Sequence, residues 1–399
     1  MARKRLFLIL FLLNLFNYID RQVLYVVFPL IQNDLHISDL QLGTLASAFM
    51  LVYMCYAPVC GYWADRKSRP HLIALSAFIW SLATFAGGAA KNFSGLLTAR
   101  SAVGVGEGGF TTIAQPFLAE HYPKEKHAWI LGLFGLALPV GSALGYILGG
   151  LIGQTWGWRL AFMLVSVPGM LLALLAWFLP DKARLPKTEK NKPRLIDYVQ
   201  LLKNKPFLYV CLVQAVITFL IGGCSAWVPT YFVRHLGLNV AQAGTWFGGL
   251  VIVCGAIGTF WGGKWAAERL RQSRQAYYEV MAAALLGCVI PIWLGLCATY
   301  IYTALACFGA AIVLLFLPTG AIAAALVDTT PNSMRAMAFA VNIFIIHLLG
   351  DALSPALIGL LSNQWNLKAA LWAATTAVLP GVWFCYLATR QKQPNNLNQ

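Results

Sequence analysis

Six ionisable side chains sit inside runs that are otherwise apolar. Asp20 and Arg21 are adjacent in "LFNYIDRQVL", Arg100 and Glu107 lie seven apart in "ARSAVGVGEGGF", and His347 and Asp351 lie four apart in "HLLGDALSP". A full charge at the centre of a membrane helix costs about 2.5–3.5 kcal/mol on insertion scales. Such residues therefore need partners or a wet cavity, and they mark ion, proton or substrate routes. Carboxylates there can take up and release protons, and guanidinium groups can hold an anion.

Spacing says how these groups can meet. Seven residues at 1.5 Å each put Arg100 and Glu107 on one helix face about 10 Å apart. Neighbours in sequence diverge by about 100°, so Asp20 and Arg21 need not pair with each other: one can face a cavity while the other meets a neighbouring helix. His347 and Asp351 share a face. Gly104, Gly106, Gly108 and Gly109 around Glu107 let other backbones approach closely. Desolvation favours the protonated carboxyl and a nearby guanidinium favours the ionised one, so an acid between the two influences can exchange a proton. Two plainer readings stay open: a structural ion pair for Arg100 and Glu107, and a satisfied packing pair for His347 and Asp351.

The elements that position these residues follow from composition. Of 399 residues, 59% are hydrophobic and 11% charged, and the mean hydropathy is +0.68. A helix crosses a bilayer core in about 20 mostly apolar residues. Twelve stretches meet that length: Leu6–Leu30, Gln41–Trp63, Leu72–Ala90, Phe93–Leu118, Ala128–Gly153, Trp158–Leu179, Phe207–Val233, Ala241–Gly263, Tyr277–Cys297, Tyr300–Leu326, Ala336–Leu361 and Ala369–Ala388. The expected fold is an all-α membrane protein of twelve transmembrane helices in two six-helix bundles. The first run is too long for a signal-peptide core and has no small-residue cleavage site, so it is read as an uncleaved span.

With the N-terminus in the cytoplasm, all but six of the 29 Lys and Arg fall in inside loops and tails, the exceptions being Arg21, Lys91, Arg100, Arg159, Arg234 and Lys368. Short basic loops stay in the cytoplasm, so both termini are placed inside, in the cytoplasmic membrane of a bacterium. The net charge of +15 is then topological rather than a footprint for nucleic acid. The polar stretch "PDKARLPKTEKNKPRLIDYVQLLKNKP" divides the chain into an N-terminal bundle (1–179), a cytoplasmic linker (180–206), a C-terminal bundle (207–388) and a cytoplasmic tail (389–399). A weak internal repeat at a constant offset of 201 residues pairs Gly43 with Gly244 and Gly61 with Gly262, as in carriers that bind substrate between two halves. At that offset Asp20, Arg100 and Glu107 map to Ile221, Ile301 and Phe308. Coupling chemistry is expected in the first half, facing an apolar wall.

Other classes fit poorly. The nine cysteines lie in predicted spans without Cys-x-x-Cys spacing, so a metal site or disulfide framework is not expected. No serine-nucleophile or His-Glu-x-x-His motif is present, and "HLLGD" is one residue short of an acyltransferase-type His-Asp pair. The chain is read as a non-enzyme without cofactor, driven by a proton gradient, with Na⁺ as an open alternative. A receptor of the same fold would bind ligand without flux. The expected partners are a small or lipid-like substrate and the bilayer, with the protein a monomer.

"GYWADRKSRP", Gly61–Pro70, resembles the cytoplasmic signature loop of the major facilitator superfamily, departing from it at Ser68 and Pro70. The resemblance implies that Gly61, Asp65, Arg66 and Arg69 act in gating. The repeat "GGKWAAERLR" has Ala266 where the loop's acid would align, so gating is expected to be asymmetric. Together "NYIDR", "RSAVGVGEGGFTTIAQP", "LPVGSALGYILGG" and "HLLGDALSPALIG" look like the Spinster-type branch, whose known members move lysophospholipids or sphingoid phosphates. The resemblance implies a proton-coupled secondary active transporter working by alternating access, with Asp20 and Glu107 coupling protons and Arg21, Arg100, His347 and Asp351 binding an amphipathic or anionic substrate. A carrier for a small polar organic anion, siderophore or drug, in export or uptake, is the alternative.

Overall fold

The structure is a computed structural model describing residues 2–181, 195–270, 275–331 and 334–391. Residues 182–194 of the expected linker and 392–399 of the expected tail lie outside the described residues. With them go the loop bases Lys182, Arg184, Lys187, Lys190, Lys192, Arg194, Arg271, Arg274 and Lys392. Among the described residues there is no β-strand.

In chain order the helices are α1 (Ala2–Val26), α2 (Phe28–Leu35), α3 (Asp39–Ala64), α4 (Arg69–Gly88), α5 (Phe93–Glu120), α6 (His127–Gly135), α7 (Ala137–Trp156), α8 (Trp158–Trp177), α9 (Leu195–Lys203), α10 (Lys205–Leu236), α11 (Val240–Leu270), α12 (Ala276–Cys297), α13 (Ile301–Phe316), α14 (Thr319–Asp328), α15 (Arg335–Ile346), α16 (Ser354–Gln364), α17 (Leu367–Ala374) and α18 (Val378–Thr389). Their ends have local causes. Ser38 and Gln41 form a capping box that starts α3, each satisfying an orphan donor of the other. Asn92 caps α5 by accepting from the Gly95 N–H at 2.8 Å. Gly157, at φ +86°, makes the reversal between α7 and α8 in a region that disfavours a Cβ.

Among the described residues, eleven helical stretches are long and apolar enough to cross a membrane. The remaining expected span is helical throughout as α5, 28 residues long, but its charges, glycines and other polar residues keep it out of the apolar class. Several spans read as continuous are jointed: α6 meets α7 at Leu136, α13 meets α14 at Leu317–Pro318, and α15 meets α16 through a π-helical turn, His347–Asp351. Large apolar side chains stay on the outer surface of many of these helices, Leu174 and Leu175 on α8 and Phe260 and Trp261 on α11 among them. Contiguous apolar surface of this kind suits lipid rather than water.

The contacts divide the chain into two compact units. The first comprises Met1–Ala183 with Gly223–Ile252 and Ser354–Ala370. In it α5 lies between α3 and α4, α4 also packs on α8, α1 lies against α7 and α8, and α16 runs along α3. The second unit comprises Arg184–Gly222, Val253–Leu353 and Leu371–Gln399, where α12 packs on α13 and α18. Its seams are closed by polar contacts: Asn342 Nδ2 donates to Gln214 Oε1 at 2.9 Å, and Asn204 Nδ2 donates to the Thr329 carbonyl at 2.8 Å. Tyr277 donates to Asp328 at 3.0 Å.

Candidate functional site

The glycines of α5 are what seat its charges. A Cβ at Gly104 would stand 2.5 Å from the Phe49 carbonyl oxygen and one at Gly108 2.7 Å from that of Tyr53, so this face of α5 lies directly on the backbone of α3. On the other face, a Cβ at Gly106 would stand 2.5 Å from the Trp80 backbone nitrogen of α4. Helices in such contact leave no slack, and Arg100 and Glu107 are carried into the packed centre, 1% and 0% exposed.

There Arg21 of α1 reaches Glu107. Its Nη2 donates to Oε2 at 2.7 Å and its Nε to the same oxygen at 3.3 Å. Three rings surround this guanidinium, Phe49, Tyr18 and Tyr53, with centroids 4.9, 5.3 and 5.5 Å from its carbon. The Arg100 guanidinium lies 5.2 Å from the same Phe49 centroid. Attraction of a cation to a ring face contributes up to about 2 kcal/mol when water is excluded. Asp20 turns away from Arg21, as the angular offset of adjacent residues requires, and accepts from Thr84 Oγ1 of α4 at 2.9 Å.

Thus the structure brings together Arg21 with Glu107 and Asp20 with Thr84, while Arg100 makes no hydrogen bond to Glu107. All three Arg100 nitrogens and Asp20 Oδ1 are enclosed without a hydrogen-bond partner among the described residues, and the fully buried Asn17 stands beside Glu107. Leaving a buried polar group unsatisfied costs about 1–3 kcal/mol, and polar atoms gathered this way suit a proton, water or an anionic group. Asn17, Thr84, Phe49 and Tyr53 were not singled out from the sequence. Asn17 alone had a signal there, one helical turn before Asp20 and Arg21.

His347 and Asp351 lie in the second unit, away from these four charges in the chain. His347 Nδ1 is 2.9 Å from Asp351 Oδ1 across the π-helical turn. Turns of that kind are rare and concentrate at functional positions.

In the signature loop the four residues part company. A Cβ at Gly61 would make ordinary contact with Thr112 Cγ2, 3.5 Å away. Asp65 ends α3, its N–H bonded to the Gly61 carbonyl. Arg66 folds back on its own helix, donating to the Tyr62 carbonyl at 3.0 Å with its guanidinium carbon 3.5 Å from that ring's centroid. Arg69 ties elements together: it lies 2.5 Å from Glu120 at the end of α5, its Nε donates to the Ala64 carbonyl, and its backbone N–H donates to Asp181.

At the opposite ends of these helices Arg159 and Arg234 are paired with acids. Arg159 donates to Asp34 and, at 3.2 Å, to the Ala90 carbonyl, and the Arg159 hydrogen bond holds the Asp34 carboxyl below the usual carboxylate range. Arg234 donates to Asp39 through both terminal nitrogens.

The sequence profile of the Major Facilitator Superfamily matches residues 10–347. The chain belongs to that superfamily. Its curated relatives include the sphingosine-1-phosphate transporter SPNS2 of Xenopus tropicalis, 32% identical over 90% of this chain and 74% of that protein. Protein spinster homolog 1 of the same animal is 31% identical over 90% and 72%. A probable sphingolipid transporter of Arabidopsis thaliana, spinster homolog 2, is 28% identical over 89% and 75%. Among solved structures, a bacterial homologue of the human lysosomal transporter Spinster, inward-facing and unoccupied, superposes with a TM-score of 0.87 at 22% identity, covering 98% of this chain and 97% of that one. A D-xylose–proton symporter superposes at 0.75 with 15% identity, each chain covered to 98%. The protein is thus a multi-pass transporter of the Spinster type, with the major facilitator fold and its two bundles, and not an enzyme.

Proposed function

We propose that this Spinster-type transporter moves an amphipathic anion, a lysophospholipid or sphingoid phosphate, by alternating access coupled to protons at Glu107 and Asp20. The observation that carries the reading is the buried set of two acids and two guanidinium groups on α1 and α5, in which Arg21 is held by Glu107 while Arg100 is enclosed without a hydrogen-bond partner. A proton on Glu107 removes the charge that holds Arg21, so both guanidinium groups become available to a phosphate or carboxylate head. Loss of that proton restores the pair and releases the head. Names of the relatives supply the cargo class, since several are described as sphingosine-1-phosphate or sphingolipid transporters. His347 and Asp351 are assigned to the same route from the second half, and Arg69 with Glu120 to closure at the signature-loop end.

The two halves, 1–179 and 207–388, are taken as the rocking bodies, joined by the 180–206 linker. Excess Lys and Arg in the loops at the N-terminal end of α1 supports cytoplasmic termini in a bacterial inner membrane. No cofactor is assigned, and the working form is a monomer. The alternative cargo, a small polar organic anion, would use the same guanidinium groups without the apolar wall.

The test is made in proteoliposomes. Internal pH is followed while lysophospholipids, sphingosine-1-phosphate and small organic anions are added in turn, with Na⁺ or K⁺ as the only alkali cation. Proton movement on adding lipid phosphates, equal in Na⁺ and K⁺ and lost in folded Asp20→Asn, supports the reading. Flux without proton movement, or flux that follows Na⁺, refutes it.

A further inference from the structure

Helices α1 and α6 pack against each other within the first unit and are tied at two levels. Asn14 Nδ2 of α1 donates to the Phe134 carbonyl of α6 at 3.1 Å, and the hydroxyl of Tyr122, in the turn before α6, donates to the Arg3 carbonyl at 2.9 Å. Position rises along both helices between the two ties, so they run in the same direction and their first turns stand at one level. The Arg3 charge lies near the Tyr122 hydroxyl as well, opposing the upward push that burial gives that phenol.

That level is strongly basic. Arg3, Lys4 and Arg5 open α1, Lys124 and Lys126 lie in the 3₁₀ turn that leads into α6, and all five side chains are exposed. The acids close to them in the chain are Glu120, engaged by Arg69, and Glu125, so positive charge is in excess. Within a turn of these bases the surface becomes apolar: Leu8 on α1 and Trp129 on α6 stand exposed, and Phe7 stacks on Phe11 with ring centroids 5.8 Å apart. At 1.5 Å per residue the apolar side chains begin about 5 Å beyond the bases, and an exposed Trp suits the boundary between lipid headgroups and hydrocarbon. Charge first and hydrocarbon next is the order in which a phospholipid presents its phosphate and its acyl chains.

We propose that the first turns of α1 and α6 bind the headgroup of an anionic phospholipid of the surrounding bilayer, its acyl chains lying along Leu8 and Trp129. Clusters of about four to eight bases at the end of a membrane helix hold anionic lipid by charge, and the two ties between α1 and α6 gather five of them at one level. The lipid is a resident of the bilayer and not the cargo: the patch is exposed, whereas Arg100 and Glu107 are enclosed in the packed centre. The proposal uses the membrane-spanning fold alone and is independent of the cargo and of proton coupling.

The test uses the full chain purified in detergent. Dioleoylphosphatidylglycerol or dioleoylphosphatidylcholine is added, and native mass spectrometry counts the lipid retained. The parent is expected to retain phosphatidylglycerol in preference. Each base near an anionic surface is worth about a fivefold gain in affinity, so Lys124→Gln with Lys126→Gln should weaken phosphatidylglycerol binding about 25-fold. Both side chains are exposed, so the variant keeps its packing, and the bases of α1 remain to set topology. Lys203→Gln with Lys205→Gln, an equal loss of charge from exposed positions in the second unit, should leave binding unchanged. Equal retention of the two lipids by the parent, unchanged binding in folded Lys124→Gln with Lys126→Gln, or an equal loss in the second pair of substitutions overturns the proposal. Displacement of the bound phosphatidylglycerol by sphingosine-1-phosphate, one for one, also overturns it, because the patch would then be a site for cargo.

Discussion

Replacing Glu107 by Gln separates holding the helices together from handling protons. Glu107 is 0% exposed and Arg21 donates to one of its oxygens twice, at 2.7 and 3.3 Å. Removing the acid leaves a guanidinium enclosed by Phe49, Tyr18 and Tyr53 without its counter-charge. Breaking a buried pair from one side costs about 3–5 kcal/mol, whereas replacing both members by apolar groups of similar volume is often neutral. Glu107→Gln is therefore expected to lower the free energy of unfolding by about 3 kcal/mol or more, and Arg21→Met with Glu107→Gln to recover most of that loss. Denaturant unfolding in detergent gives both numbers and their coupling energy. Proton flux in proteoliposomes gives the other axis: the recovered double variant should fold and still fail to couple. If it folds and drives proton-linked transport like the parent, Glu107 is a structural residue and the proposed mechanism fails.

Two further outcomes are expected. Gly43→Val places a side chain against the Pro355 carbonyl, a clash with backbone that cannot move aside, so overpacking should cost about 1–3 kcal/mol and slow transport; a stable variant with parental flux would show the seam to be slack. Because the Arg159 hydrogen bond depresses the Asp34 carboxyl, its stabilisation is complete above the ordinary carboxylate range and is lost only as pH falls through the lower folded value. Arg159→Gln should thus lower stability by at most about 1 kcal/mol, constant from pH 5 to 8, and a difference that grows across that window in unfolding curves would contradict the assignment.

How much of this was readable without coordinates depended on contrast with the surroundings. Asp20, Arg21, Arg100 and Glu107 are conspicuous because their neighbours are apolar, and the glycines beside Glu107 announce a crowded seam that the structure places on α3 and α4. The partners were not readable. Whether Arg21 or Arg100 meets Glu107 depends on how α1 is rotated about its own axis, and Thr84, which meets Asp20, stands 64 residues away among ordinary span residues. Continuous apolar runs also conceal joints such as Leu317–Pro318 and the π-helical turn at His347, because hydropathy records composition and not hydrogen-bond register.

Helix-end charges mark the far edge of what a single sequence can say. Arg159 and Arg234 look alike in the sequence, each a base at the end of a span where a solvated side chain is the ordinary expectation. Packing separates them. Arg159 meets an acid of its own half, Asp34, in an open setting where an ion pair is worth little. Arg234 crosses 195 residues of sequence to Asp39, a carboxylate shielded from water and satisfied by three side chains at once. Desolvation, which belongs to the assembled helices and to no segment alone, makes the second pair costly to break and the first nearly free.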